Sequence, residues 1–310
     1  MTLTETEAEK TVGEVLREGI GFLEKHGMES ARVLGERLLE GLLDCSRHEL
    51  YLEGGRILPR ETVETYFACL ERRARGVPCQ YILGKAHFMD FVFRVTPCVL
   101  IPRPETEFLV EKILEEAGMK SFEKGGPEIL DVGTGSGNIA VSLAAYLPQA
   151  AISAVDISEE ALEIARENAR RIGRRGDARN AAATGIEFLK SDLFDRLPRT
   201  KRFDMIVSNP PYLSGEEMRN LPPEVSREPA LALFGGERGT ELIERLAAGA
   251  GDFLKPGGIL FFEIGYEQGD MTRRLLRELG WREVEVFRDY CGRDRVVRAA
   301  DFRSTACGTD

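Results

Sequence analysis

The sequence predicts an α/β fold: a seven-stranded, mostly parallel sheet with helices on both faces, preceded by a small helical domain. Two observations predict it. From about residue 103 onward, apolar strands alternate with amphipathic helices, whereas residues 1–85 show apolar side chains only at helical spacing. The chain has 310 residues, 43% of them hydrophobic, which suffices for one large domain and one small one.

The first 85 residues predict a helical bundle. Apolar side chains recur at helical spacing over residues 12–23, 31–43 and 63–70. Pro59 suits the start of the third helix, and the arginines after residue 71 suit its C-terminus. Because this segment carries no catalytic constellation, we expect it to serve packing or the recognition of a partner.

Residues 86–102 predict a β-hairpin that links the two domains. The run His87–Val95 alternates and is rich in aromatic and β-branched residues. Thr96 and Pro97 interrupt the run, and residues 99–101 are expected to resume it as the second strand.

Residues 103–300 predict the larger domain. Strands are expected at 128–132, 150–155, 186–190, 203–208, 258–264, 282–288 and 294–300, and helices at 104–118, 137–147, 159–172, 240–254 and 267–279. Crossover helices between strands indicate parallel pairing. The last two strands are joined only by the turn at 289–292 and should pair antiparallel. Residues 173–185 are expected to form an exposed loop, and residues 301–310 a flexible tail.

The composition argues against several classes of protein. A net charge of −10 does not suggest a dedicated nucleic-acid binder, although a local basic patch remains compatible with it. The acidic, polar N-terminus lacks the features of a signal peptide, and no apolar run approaches the roughly 20 residues of a membrane span. The six cysteines show no C-x-x-C spacing, so we expect free thiols, no metal site and a cytoplasmic location.

A glycine-rich turn follows the first predicted strand. The residues from Asp131 to Gly137 read D-V-G-T-G-S-G, and Asn138 stands where a dinucleotide fingerprint needs glycine. No glycine-lysine pair follows, which argues against a triphosphate site. The pattern suits a nucleoside that carries an amino-acid tail and no phosphate, with Asp131 near the ammonium group of the tail. A tight structural turn is the alternative for the glycines alone.

Acidic residues after the next two strands strengthen this interpretation. Asp156 ends the second strand about 20 residues past the loop, where a carboxylate can accept both ribose hydroxyls. Asp192 follows the third strand and is expected to accept from an adenine amino group. Either Leu193 or Phe194 is then expected to pack on the adenine ring.

The fourth strand ends in Asn209-Pro210-Pro211-Tyr212. The prolines stiffen this tetrapeptide and leave it two acceptors, the Asn209 side-chain oxygen and the Pro210 carbonyl. Two acceptors on a rigid fork match the two hydrogens of a planar NH2 group, and Tyr212 would offer that group a flat face. Together with the cofactor loop, the tetrapeptide indicates methyl transfer to such a nitrogen, whereas a simple turn is the alternative if it is taken alone.

These loops resemble those of methyltransferases that act on amino groups, including adenine-N6 DNA and guanine-N2 RNA enzymes. Four further segments narrow the resemblance: Gln80–Gly84, Ile101–Glu107, Glu228–Leu233 and Gly292–Val296. With them the chain, from about residue 10 to 300, resembles the release factor glutamine methyltransferase (PrmC/HemK) family. That resemblance implies a Rossmann-like methyltransferase sheet that binds S-adenosylmethionine and releases S-adenosylhomocysteine.

The resemblance also implies the substrate: the glutamine of the Gly-Gly-Gln motif in bacterial-type peptide chain release factors, methylated on its side-chain amide nitrogen. No direct nucleic-acid partner, no membrane and a monomer are expected. A nucleic-acid amino-methyltransferase and a binding protein without turnover are the rivals. Arg103 and Glu105 are expected either to shape the glutamine entry as a lip over the cofactor or to form an ion-paired start of the helix.

The predicted site residues divide by role. Those of the reaction centre are Asn209, Pro210, Pro211 and Tyr212. Those of the cofactor site are Asp131, Gly133, Thr134, Gly135, Ser136, Gly137, Asp156, Asp192, Leu193, Phe194 and Asn209.

Overall fold

The computed structural model describes residues 9–122, 125–173 and 185–303. Most of the predicted 173–185 loop and residues 304–310 of the predicted tail lie outside them. The chain divides into two compact units. The first contains the residues up to Gly84 together with Pro222–Arg227, and the second contains the rest. No helix among the described residues is long and apolar enough to cross a membrane.

The first unit is helical, with five helices where the sequence predicted three. They are α1 (Val12–Lys25), α2 (Ala31–Leu43), α3 (Arg47–Leu52), α4 (Arg60–Ala74) and α5 (Cys79–Leu83). The two short helices escaped prediction because they span too few turns to show a period. Tyr66 fixes the packing of the longer ones, since its hydroxyl donates to the Gly35 carbonyl at 3.1 Å. A Cβ at Gly19 would lie 2.4 Å from that hydroxyl, so only glycine fits there.

The segment Pro222–Arg227 belongs to the helical unit by its contacts. Arg73 is buried and forms an ion pair with Glu224. Arg227 donates from Nη2 to the Arg75 carbonyl at 3.0 Å. A short return of the chain to an earlier domain leaves no periodic signal, so the sequence did not predict it.

The second unit begins with a β-hairpin of β1 (Lys85–Phe88) and β2 (Phe91–Arg94). The predicted second strand at 99–101 is wrong. The alternating run contains both strands of the hairpin, because the chain reverses at Met89 with a positive φ of 50°. The apolar side chains at 99 and 101 are buried without belonging to a strand.

The remaining elements alternate in the predicted order, with one further short helix, Gly215–Arg219, that the sequence did not predict. The strands are β3 (Glu128–Val132), β4 (Ala151–Asp156), β5 (Glu187–Lys190), β6 (Phe203–Ser208), β7 (Leu254–Glu263), β8 (Trp281–Arg288) and β9 (Asp294–Phe302). The helices are α6 (Pro104–Met119), α7 (Asn138–Tyr146), α8 (Glu159–Gly173), α9 (Gly215–Arg219), α10 (Glu241–Ala250) and α11 (Gly269–Glu278).

These strands form one seven-stranded sheet in the order β5-β4-β3-β6-β7-β9-β8. The predicted sheet is confirmed: β9 runs antiparallel to both of its neighbours, and the other pairs are parallel. Successive strand residues face opposite cores. Ile129 packs with α6, α7 and α8 on one face, and Leu130 packs with α10 and α11 on the other.

One predicted helix is too long. The helix expected over 240–254 ends at Ala250, and a single 3₁₀ turn at Gly251–Phe253 leads into β7 four residues earlier than expected. The Phe302 ring lies where a Cβ on residue 251 would stand, so glycine is required at this close approach. The apolar pattern alone continues through the turn, which is why the sequence did not locate the boundary.

Candidate active site

A cavity of about 590 Å³ lies at the carboxyl ends of β3, β4 and β6. Small-molecule sites typically have about 300–1,000 Å³. The register sets its position, because Val132 pairs with Val155 on one side and with Ser208 on the other. The glycine loop and the Asn-Pro-Pro-Tyr loop therefore leave adjacent strands at the same level. The Ser208 hydroxyl donates to the Val132 carbonyl at 2.7 Å and ties the two strand ends together.

The glycine loop depends on three left-handed residues. Gly133, Gly135 and Gly137 have φ values of 74°, 54° and 79°. A Cβ at Gly137 would stand 3.1 Å from the Ala165 methyl of α8, whereas Cβ atoms at the other two would meet no protein atom. The backbone at Gly133 and Gly135 is therefore accessible from the cavity, and a ligand can approach it closely.

The loop is held from behind by neighbouring elements. The backbone N–H groups of Gly133 and Thr134 both donate to the Val155 carbonyl, at 2.8 and 3.0 Å. On α8, the fully buried Asn168 donates from Nδ2 to the Ser136 carbonyl at 2.9 Å. The sequence analysis missed Asn168, although an amide on the apolar face of a helix is a signal for a buried hydrogen-bonding role.

Asn168 also binds the hairpin. Its Oδ1 accepts from the Arg94 backbone N–H at 2.7 Å, and its Nδ2 donates to the Arg94 carbonyl at 3.0 Å. One side chain therefore satisfies both backbone groups at the end of β2 and one carbonyl of the cofactor loop.

Asp156 lines the cavity, as the sequence predicts for a ribose-binding acid. Its Oδ2 accepts from the Gly135 N–H at 2.8 Å, and its Oδ1 accepts from the Ser158 N–H at 2.9 Å. Burial raises the pKa of this carboxyl, and the backbone hydrogen bonds oppose the rise. Each oxygen keeps a further lone pair, so the carboxylate can still accept two hydroxyls.

Asp131 lies beneath the loop and contributes no surface to the cavity. Its Oδ2 accepts from the Thr134 hydroxyl at 2.7 Å and from the Ala140 N–H at 3.2 Å. Its Oδ1 is buried and has no partner among the described residues. Burial raises the pKa of Asp131 to about 7. An unpartnered acceptor under the loop is compatible with a nearby cationic group. The proximity of Asp131 to an ammonium group stays a prediction.

The segment after β5 lines the part of the cavity where the sequence predicts that adenine binds. Asp192 lies there with its Oδ2 2.9 Å from Arg245 Nη2, and Leu193 next to it holds a left-handed φ of 46°. Phe194 does not line the cavity. Its ring is buried and stacks on Phe253 at 5.1 Å between centroids, so of the two apolar candidates only Leu193 is placed to meet a ring.

The Asn209 side chain lines the cavity and is held by one hydrogen bond. Its Nδ2 donates to the Thr106 hydroxyl at 3.0 Å. None of the described residues donates to its Oδ1 or to the Pro210 carbonyl. The Asn209 oxygen is therefore free to bind, and Pro211 lines the cavity beside it. Pro210 is buried and does not line the cavity, so its carbonyl as the second acceptor stays a prediction.

Tyr212 differs from its expected role. Its hydroxyl donates to Glu263 Oε1 at 3.3 Å, its ring packs against the α10–α11 core, and it does not line the cavity. Burial raises the pKa of the hydroxyl. The expected flat face for the substrate amide is thus not offered by this ring.

Arg103 lines the cavity, but its partner is not the neighbouring acid. It forms an ion pair with the buried Glu228, whose Oε2 also accepts from the Ile101 N–H at 3.0 Å. Glu105 is exposed and does not line the cavity. Arg103 is therefore fixed over the cavity edge by an acid 125 residues later, which no local pattern could pair with it.

Comparison with known proteins agrees with this architecture. The PrmC N-terminal domain model matches residues 14–84, and the methyltransferase small domain model matches residues 104–224. A release factor glutamine methyltransferase of Koribacter versatilis is 40% identical over 288 residues, 93% of this chain and 97% of the relative. One of Moorella thermoacetica is 39% identical over 93% of this chain and 98% of the relative.

A solved structure shares the fold. The catalytic domain of hMettl16, in complex with MAT2A 3′UTR hairpin 6, is 15% identical and superposes with a TM-score of 0.51. The match covers 81% of this chain and 86% of that one. At this identity the likeness shows the fold alone.

The glycine loop yields a matched test. Gly135→Ala and Gly292→Ala each place a Cβ at a left-handed residue with open space around it, one on the cofactor loop and one in the β8–β9 turn. Both should lose about 1–2 kcal/mol of unfolding free energy, the cost of that backbone conformation. Only the first should weaken S-adenosylmethionine binding, measured by calorimetry. Equal affinity in the two variants would contradict close approach of the ligand to Gly135.

Asp131 yields a pH prediction. Its pKa rises from 3.8 to about 7 on folding, so between these values the folded state holds a proton that the unfolded state releases. Stability therefore falls as pH rises through that window, by an amount on the order of a few kcal/mol. Asp131→Asn removes the loss and keeps an oxygen for the two donors. Urea unfolding should show the variant gaining on the wild type from about pH 4 to about pH 7; a constant difference would refute this.

Proposed function

We propose, since this chain belongs to the release factor glutamine methyltransferase family, that its cavity is the active site for glutamine methylation in a peptide chain release factor. S-adenosylmethionine is the methyl donor, and the acceptor is the side-chain amide nitrogen of the Gly-Gly-Gln glutamine. Relatives matched over more than nine-tenths of both chains support the assignment.

The observation that carries the proposal is the unpartnered side-chain oxygen of Asn209, which lines the cavity beside the glycine loop. Asn209 Oδ1 and the Pro210 carbonyl follow β6, and the glycine loop follows β3, which pairs with β6. Accepting both N–H hydrogens of a primary amide would hold its nitrogen in line with a methyl group bound over the glycine loop. Such positioning can supply roughly 7–11 kcal/mol in favourable cases.

The chemistry needs no nucleophilic side chain. A sulfonium supplies an activated methyl group: the sulfur–carbon bond breaks as the carbon–nitrogen bond forms, and sulfur keeps the electron pair. The protein orients the amide, raises electron density on its nitrogen through the accepted hydrogen bonds, and excludes water. Asparagine cannot serve as a base, so one N–H proton of the methylated nitrogen passes to solvent water after the transfer.

The cofactor would be held by residues on three strand ends. The cofactor would lie against the backbone of the glycine loop. Asp156 would accept hydrogen bonds from the ribose hydroxyls, and Asp192 and Leu193 would contact the adenine. Asp131 supplies negative charge beneath the loop. We assign Arg103 to the lip of the glutamine entry, because the buried Glu228 holds it at the cavity edge.

The helical unit is proposed to recognise the release factor. Its described residues expose four large apolar side chains, those of Val33, Tyr51, Leu52 and Ile57, at 49%, 47%, 72% and 53% of their surface. Exposed apolar groups of this kind are common at protein-binding surfaces. We also propose a monomer that acts in the cytoplasm on bacterial-type release factors, without direct contact to nucleic acid.

Labelling tests the substrate directly. With radiolabelled S-adenosylmethionine, a release factor should take up label, and the same factor with its Gly-Gly-Gln glutamine replaced should not. DNA and RNA serve as the alternative acceptors. Label on nucleic acid with none on the release factor would move the function to an amino-methyltransferase of nucleic acid.

Asn209→Ala tests the reaction centre. The variant loses the acceptor that lines the cavity, and loss of one such preorganised group at a reacting centre typically costs on the order of 10²–10³ in kcat. Cofactor affinity should be unchanged, since Asn209 orients the acceptor. Asn220→Ala is the matched control, because Asn220 is exposed and its side chain donates only to the Glu216 carbonyl. Full turnover in Asn209→Ala would eliminate the fork mechanism.

A further inference from the structure

A chain of side-chain hydrogen bonds runs from the cavity into the core beneath it. Asn209 Nδ2 donates to Thr106 Oγ1 at 3.0 Å, and Thr106 Oγ1 donates to Glu263 Oε2 at 2.7 Å. Thr106 and Glu263 are each 1% exposed, so the bond between them is shielded from water, whereas Asn209 and Thr106 both line the cavity. Three elements supply the chain: the loop after β6, the first turn of α6 and the last residue of β7.

The direction of these bonds follows from a count of protons. A hydroxyl carries one hydrogen, and an ionised carboxylate can only accept. The Thr106 hydrogen therefore goes to Glu263, which leaves only lone pairs of Thr106 facing Asn209. Asn209 must then present its NH2 to Thr106, and its oxygen occupies the other branch of the planar amide.

We propose that Glu263 and Thr106 are positioning residues that fix which end of the Asn209 amide faces the substrate. The inference rests on the proposed function, in which Asn209 Oδ1 accepts from the glutamine amide. A reversed Asn209 would set its own N–H groups against the N–H groups of the substrate. That arrangement pairs donor with donor and removes half of the acceptor fork.

The surroundings of Glu263 keep its carboxylate in place. Tyr212 donates to its second oxygen, so each oxygen accepts from one hydroxyl, one on α6 and one on the Asn-Pro-Pro-Tyr loop. Arg295 on β9 favours the charged form, and Glu105 on α6 disfavours it. Burial outweighs the favourable contacts and raises the pKa of Glu263 to about 7.

Protonation of Glu263 would reverse the chain. A protonated carboxyl can donate to Thr106, whose own hydrogen is then released to point at Asn209. Thr106 now favours the oxygen of the amide, and the acceptor turns away from the cavity. The positioning of Asn209 is therefore coupled to the charge on a side chain that does not line the cavity.

Three variants separate orientation from packing. Thr106→Val keeps the shape of the side chain and removes the hydroxyl, and Thr106→Ser restores it. Thr272→Val is the control: Thr272 is fully buried on α11, and its hydroxyl has no partner among the described residues. With a release factor as substrate, Thr106→Val should lower kcat on the order of 10–100-fold, as small misplacements do. Cofactor affinity should be unchanged, and the other two variants should retain the wild-type kcat.

The pH profile gives a readout that a packing role would not move. Wild-type kcat should fall as pH drops below about 7, the pKa of Glu263. Glu263→Gln cannot titrate, and its amide can offer either end to Thr106. That variant should have a lower kcat at high pH and lose this acid limb. An unchanged limb in Glu263→Gln, or wild-type kcat in Thr106→Val, would overturn the proposal.

Nuclear magnetic resonance tests the same chain without any substrate. The side-chain NH2 signals of Asn209, assigned by their absence in Asn209→Ala, should shift with pH around 7 in the wild type and stay constant in Glu263→Gln. If the wild type labels no release factor and these signals titrate as expected, the proposed substrate fails and the positioning chain stands. If the release factor is labelled and the signals do not respond, the positioning chain alone fails.

Discussion

The parallel pairing of β3 with β6 is the constraint on which the site depends. Val132 lies opposite Ser208, so the loop that would hold the cofactor and the loop that would hold the substrate amide begin side by side. A shift of one residue in this register would turn every following side chain to the other face of the sheet. The bond from the Ser208 hydroxyl to the Val132 carbonyl holds the strand ends in this register where the ladder stops.

Burial of acids is the second theme of the site. Asp131 and Glu263 are both withdrawn from water at the ends of sheet strands, and burial raises the pKa of each to about 7. Such groups reduce the stability of the folded protein at neutral pH. The two perform different tasks in our account: Asp131 offers charge to a cationic ligand, whereas Glu263 orients other protein groups. The site thus combines attraction and orientation with the same chemical group.

The sequence was sufficient for what is local and periodic. The order of strands and helices, the glycine loop, Asp156 and Asn209 all follow from patterns a few residues long, and the structure brings the two loops and Asp156 to one cavity. Partners distant in the chain could not be found that way. Glu263 ends an apolar strand, where an acid is unusual, but only the packing of α6 shows that it meets Thr106. The choice between Leu193 and Phe194 for the adenine ring was also beyond the sequence, because only the packing shows that Leu193 lines the cavity and Phe194 does not.

The contacts of Asn168 show that a glycine-rich cofactor motif is not sufficient by itself for a working site. The glycines permit the loop to adopt its shape, but a carbonyl in that loop is satisfied by an amide on α8 that also closes the end of the hairpin. A chain that carries the same glycines with an alkyl residue at this position would leave three backbone groups without their partner. Grafting the loop onto another scaffold would therefore succeed only if the helix behind it is transferred as well.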